Sequence, residues 1–262
     1  DSPFGFHHLI LLCENQKGYQ NLVKLVSLAS LEGFYQKPRV DWELLSRYHE
    51  GLICLSGCLA GEVPRLLSAG DYAAAKATAL RYQQLFGKGN YYLEIQNHQI
   101  REELQNLPLL LRLSRETGIP LAATNDAHYL RRENAAMQEV LLCIQTGKTL
   151  DDPEHMHFET PEFYLKSTAE MAALFADVPE AVTNTAKIAA RCHVEFQEGQ
   201  IYLPKFSMEG VSDCRKLFLQ LCMNGLKKHY GEHPSPEVLE RLRMEISVIT
   251  QMGYVDYFLI VW

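Results

Sequence analysis

Nothing in this sequence can cross a bilayer as a helix, because apolar runs such as Leu9 to Cys13 and Leu107 to Leu111 fall far short of the roughly 18 residues required. Positive charge is in deficit. With 25 Lys and Arg against 32 Asp and Glu the net charge is −7, which excludes wrapping nucleic acid over the whole surface but leaves room for a local contact. There is no Walker-type phosphate loop, no Gly-x-Ser-x-Gly elbow and no Cys-x-x-Cys pair, so nucleotide-motor, serine-hydrolase and zinc-ribbon chemistries find no support. The seven cysteines (13, 54, 58, 143, 192, 214 and 222) are odd in number and lack paired spacing. They predict reduced, mostly buried thiols and a cytoplasmic compartment rather than a disulfide framework. Asp1-Ser2-Pro3-Phe4 has neither an initiator Met nor the basic and apolar regions of a signal peptide, and the other end, Tyr257 to Trp262, is a segment that wants burial. Both ends predict a piece of a longer intracellular protein.

What is present reads as a globular α/β chain: 47% of the 262 residues are hydrophobic and 22% charged. Apolar runs with β character at His8 to Cys13, Gly51 to Leu55, Tyr91 to Gln96 and Pro120 to Thr124 alternate with helical patterns. Those helices are expected over 19–30, 61–68, 71–86, 100–117, ended by Gly118, and 133–145. Such alternation predicts parallel strands with crossover helices, in an open sheet or a barrel, with active residues at the strands' C-terminal ends. After Asp151-Asp152-Pro153 the pattern changes to an extended piece over 158–165 and peripheral helices at 168–175 and 179–192. A boundary strand or linker is expected over Ile201 to Phe206, and helices at 212–230 and 236–252 open a second domain near residue 206.

Ligand-type side chains recur at the strand edges: His8 before the first, Cys58 after the second, Asp126 and His128 after the fourth. Side chains two apart in an extended segment point the same way, so Asp126 and His128 can share an ion. Imidazole, thiolate and carboxylate suit zinc, and carboxylate with imidazole also admits manganese or iron. Each residue has a plainer use. An Asp-x-His pair also serves turn hydrogen bonding, and a single cysteine also serves as a small buried hydrophobe. Glu94, Gln96 and His98 form a polar row at a strand end, and His155 and His157 are expected on the surface.

Five stretches carry a specific resemblance. They are His8-Leu-Ile-Leu-Leu with Gly18-Tyr-Gln-Asn-Leu22, Gly51-Leu-Ile-Cys-Leu-Ser-Gly-Cys-Leu-Ala-Gly-Glu62, Thr124-Asn-Asp-Ala-His-Tyr-Leu130, Leu141-Leu-Cys-Ile-Gln-Thr-Gly-Lys-Thr-Leu150 and Met252-Gly-Tyr-Val-Asp-Tyr-Phe-Leu-Ile-Val-Trp262. Together they resemble the α subunits of bacterial DNA polymerase III, the replicative C-family polymerases, over nearly the whole chain.

The resemblance implies that residues 1–205 are the later part of a polymerase and histidinol phosphatase (PHP) domain, an incomplete distorted (β/α)7 barrel. The barrel portion would run to about residue 150, with peripheral helices over 151–205. Residues 206–262 would be a mainly helical segment entering the polymerase palm. His8, Cys58, Asp126 and His128 would be metal ligands for Zn2+ or Mn2+, while the family's opening His-x-His motif is expected upstream of Asp1. The site is therefore expected to be incomplete in this chain and its metal weakly held. Catalytic aspartates with their Mg2+ are expected beyond Trp262, so the chain alone would not polymerise DNA. The implied substrates are DNA and deoxynucleoside triphosphates, and the implied partners are proofreading and sliding-clamp subunits, with no membrane. The PHP site itself would hydrolyse phosphoesters, including 3′ to 5′ proofreading. Alternatively the domain would act only as a scaffold that docks a proofreading subunit, or, against the evidence of residues 252–262, as a free-standing phosphatase.

Overall fold

The computed structural model describes residues 5–200 and 202–262. The expectations for Asp1 to Phe4 and for Ile201 lie outside the described residues. The chain divides into two compact units, 1–195 and 196–262.

In the first unit, β1 (Ile10–Cys13) is followed by α1 (Gln16–Leu31), whose N-terminus is capped by the Asn15 side chain accepting from the Gly18 N–H at 3.0 Å. Then come α2 (Trp42–Arg47), β2 (Leu52–Leu55), α3 (Glu62–Ser68), α4 (Tyr72–Phe86) and β3 (Tyr91–Ile95). They are followed by α5 (Arg101–Thr117), β4 (Leu121–Ala123), a short 3-10 turn at Arg132–Asn134, α6 (Ala135–Thr146), α7 (Thr168–Leu174) and α8 (Pro179–Arg191). Gly118 ends α5 in the left-handed conformation, as its position before Ile119-Pro120 predicts.

The strands form a four-stranded sheet in the order β1-β2-β3-β4. β2, β3 and β4 are parallel, but β1 pairs antiparallel to β2, with Ile10 opposite Leu55 and Cys13 opposite Leu52. This corrects the expectation of parallel strands throughout. The connection through α1 and α2 leaves and returns at the same end of the sheet, where the Glu14 N–H meets the Gly51 carbonyl at 2.9 Å. Return to the same end reverses the second strand. The close approach depends on Gly18 and Gly51: a Cβ on Gly18 would lie 1.8 Å from the Gly51 carbonyl oxygen.

Alternate strand residues go to opposite faces. Leu52, Cys54, Tyr91, Leu93, Ile95, Leu121 and Ala123 belong to one apolar cluster with Leu25 of α1, Val63 of α3, Ala79 of α4 and Leu113 of α5. Ile53, Leu55, Tyr92 and Ala122 belong to a second with Ile188 of α8. Apolar burial on both faces explains why these strands read as continuous apolar runs. Leu93, Ile95 and Leu113 are fully buried, each contributing about 1.5–3 kcal/mol relative to exposure. α8 is pinned to the sheet by polar contacts as well: Asn184 Nδ2 donates to the Leu121 carbonyl at 2.9 Å, and Arg191 donates to Glu14 Oε1 and the Gly89 carbonyl.

The second unit holds α9 (Cys214–Tyr230), α10 (Pro236–Gln251) and α11 (Val255–Val261). Residues 202–206 form no strand. Phe218 of α9 meets Phe258 of α11 edge-on at 6.2 Å, and Leu259 is buried. The rest of the closing segment departs from the expected burial, with Trp262 72% exposed. All seven cysteines are free thiols, but only Cys54 and Cys143 are buried, and the other five are partly exposed, which corrects the expectation of mostly buried thiols.

Candidate metal centre

Past the end of β2 the chain turns through Gly57, whose φ of +81° is a conformation that favours glycine. The turn is pressed against the start of β1: a Cβ on Gly57 would lie 2.6 Å from the His8 carbonyl oxygen, and the His8 N–H donates to the Ala60 carbonyl at 3.0 Å. These contacts place His8 Nδ1 3.4 Å from Cys58 Sγ. Two ligands sharing a tetrahedral zinc, at the usual Zn–S and Zn–N lengths, lie about 3.6 Å apart. The pair therefore has the separation of two ligands on one ion. Burial raises the Cys58 thiol above its ordinary value, and the nearby carboxylates of Asp126 and Glu94 push the same way. A cation at this point would reverse that influence and release the proton.

After β4, Asp126 adopts a φ of +41°, uncommon for a residue other than glycine. The segment is therefore not extended, which corrects the strand-like premise, although the Asp126 and His128 side chains still come within 4.0 Å of each other. Instead His128 Nδ1 donates to the Asp126 carbonyl at 2.6 Å, while the Asp126 carboxylate stands 4.0 Å away. A carbonyl only accepts, so the Nδ1 proton is fixed and Nε2 keeps its lone pair for a ligand. The ring packs against Phe158 at 4.7 Å, and the His128 N–H donates to the Phe163 carbonyl at 2.8 Å.

Beneath this loop lies a buried polar assembly that sequence reasoning left as ordinary strand-end polarity. His98 is 1% exposed, its Nδ1 is 2.7 Å from Glu103 Oε1, its Nε2 is 2.7 Å from the Asn125 carbonyl, and its ring stacks on Phe163 at 4.0 Å. Asn125 Nδ2 in turn donates to the carbonyls of Glu162 and Tyr164. Glu94 is buried too, its Oε1 accepting from the Thr124 hydroxyl at 2.5 Å. The available signal was the spacing of residues 94, 96 and 98, which puts them on one side of an extended segment. His155, expected on the surface, is half-buried and lies 2.6 Å from Glu139 Oε1, whereas His157 is exposed.

The four sequence candidates thus fall into a His8–Cys58 contact and an Asp126–His128 turn, with the charge of Asp126 reaching the Cys58 thiol. Among the described residues no three His, Cys, Asp or Glu side chains are grouped closely enough to hold a metal ion. The donor types fit a zinc-class cation, and the His8–Cys58 spacing fits two of its ligands.

Residues 4–98 match the PHP domain family, and residues 216–262 match the family described as bacterial DNA polymerase III alpha NTPase domain. The chain is 45% identical over 258 residues to a DNA polymerase III subunit alpha of Treponema pallidum, covering 98% of this chain and 22% of that protein. It is 43% identical to the subunit of the same name from Borreliella burgdorferi, and 41% identical over 235 residues to that of Thermus aquaticus. The chain spans 22% of the length of the first two of these relatives. By residues and by kinship alike, the chain is similar to one stretch of the bacterial DNA polymerase III α subunits.

Proposed function

We propose that this chain is part of the catalytic subunit of a bacterial replicative polymerase, a cytoplasmic enzyme that copies DNA from deoxynucleoside triphosphates. The observation that carries this reading is the 45% identity over 98% of the chain to a protein named for that activity. In this reading residues 1–205 are barrel-type PHP structure and residues 206–262 lead into the palm. The polymerase Mg2+ ions and their carboxylates belong to other parts of the subunit, whose partners are proofreading and sliding-clamp subunits. Primer extension by the full-length subunit tests it: Mg2+-dependent extension is expected, and a purified, folded subunit with none would overturn it.

Within the PHP portion, the reading assigns His8, Cys58, Asp126 and His128 to a Zn2+ or Mn2+ site with phosphoesterase or 3′ to 5′ exonuclease chemistry. Such a metal, when bound, activates water and offsets charge on a phosphoryl group. The chain's own part is to hold donors in place. The Gly57 turn fixes the thiol against His8, and the Asp126 carbonyl fixes the His128 tautomer. Elemental analysis of the full-length subunit should find the metal, and a His128→Ala variant should lose it. A metal-free intact subunit would favour the scaffold reading, which the lack of a ready three-ligand group among the described residues also favours.

A further inference from the structure

We propose that Glu94 is a fifth residue of the cation site, its free Oε2 joining His8 and Cys58 as a ligand. This rests on the metal-site reading above and adds a residue to it. Glu94 is only 6% exposed, yet its Oε2 is buried without a hydrogen-bond partner. Leaving a buried acceptor unsatisfied costs about 1–3 kcal/mol, and more when it is charged. Folded proteins keep few such atoms, and each calls for something that uses it.

The carboxylate does not lack anchorage. Thr124 and Gln96 both donate to its other oxygen, at 2.5 and 3.3 Å, and its own N–H donates to Ser56 Oγ at 2.9 Å. The residues after β2, β3 and β4 therefore hold the group in one orientation; the Gly57 N–H of the turn also favours the carboxylate, but Oε2 makes no close hydrogen bond. Glu94 and Cys58 line the same small cavity, together with Gly57 and Gln96. The charges of His8 and Asp126 both reach Glu94, and those of Glu94 and Asp126 both reach Cys58. Glu94 and His8 are thus each tied to Cys58, the one through the shared cavity and the other by the 3.4 Å contact, and a bound ion is what would draw the three together. Burial raises the Glu94 pKa, and a divalent ion is the species that satisfies the open oxygen while displacing the carboxyl proton.

The test uses the full-length subunit, stripped of metal and titrated with Co2+. The wild type is expected to develop thiolate-to-cobalt charge-transfer absorption and visible d–d bands. Glu94→Gln keeps the side chain's shape but removes the anionic oxygen. It should weaken Co2+ at least about tenfold and alter the d–d bands at saturation while keeping the charge-transfer band. Gln96→Ala, which trims only the Oε1 side, should leave the d–d spectrum unchanged. Wild-type affinity and spectrum in Glu94→Gln would overturn the proposal and leave the metal-site reading standing. Absence of both bands in the wild type would overturn both. If Glu94→Gln does not fold, anomalous diffraction from the cobalt-loaded wild type decides. A cation about 2.0–2.2 Å from Glu94 Oε2 is expected, and one beyond bonding distance overturns the assignment.

Discussion

The Nε2 of His98 donates to the main-chain oxygen of Asn125 at 2.7 Å, joining the end of β3 to the loop that carries Asp126 and His128. The opposite ring nitrogen faces Glu103, whose second oxygen also accepts the His98 main-chain N–H at 2.6 Å. Because both ring nitrogens face acceptors, the imidazole is held as a cation beside a carboxylate, deep in the fold.

That arrangement has a pH signature. Burial by itself would lower the His98 pKa, but the Glu103 carboxylate and the Asn125 carbonyl outweigh it and hold it above the ordinary 6.5. A raised folded value means the contribution is complete below the ordinary value and disappears as pH rises through the raised one. Thermal stability should therefore fall on raising the pH through that window, and His98→Gln should flatten the profile. An unchanged profile in the variant would show that other groups set it.

Removing the carboxylate is the harsher change. Glu103→Gln leaves an imidazolium buried without its counter-charge, and the expected loss is about 3–5 kcal/mol. Urea denaturation gives the number. A loss below about 1 kcal/mol would mean the pair is neutral, with the shared proton on Glu103 rather than on Nδ1.

Two glycines in helices should respond in opposite directions. Gly18→Ala drives a methyl into the Gly51 carbonyl at 1.8 Å and should cost about 3 kcal/mol or more. Gly225, inside α9, has nothing within 4 Å of a built Cβ, so Gly225→Ala should stabilise its unit by about 0.5–1 kcal/mol. Denaturant midpoints measured side by side check both.

Much of the element order was legible because long helices announce themselves by period and caps. α4, α5 and α8 all fall within two residues of their expected bounds. α2 was not, since six residues complete too few turns to show a period. The direction of β1 was invisible for a different reason: it depends on where a long connection comes home, and that is set by the packing of Gly18 on Gly51. Of the four donors read from the sequence, the structure brings His8 to Cys58 and Asp126 to His128. The orientation at Asp126 was not legible, because a left-handed residue other than glycine leaves no pattern. Buried Glu94 and His98 escaped because polar residues are taken as surface by default.

The antiparallel edge strand decides which imidazole meets the thiol. His7 and His8 are neighbours, so they project to opposite sides of the chain. Sliding the edge by a single position would hand Cys58 the wrong ring and carry every apolar residue of the strand to the other face. A substitution at Ile10 or Leu12, neither of them a ligand, would thus exchange one histidine for the other without replacing either.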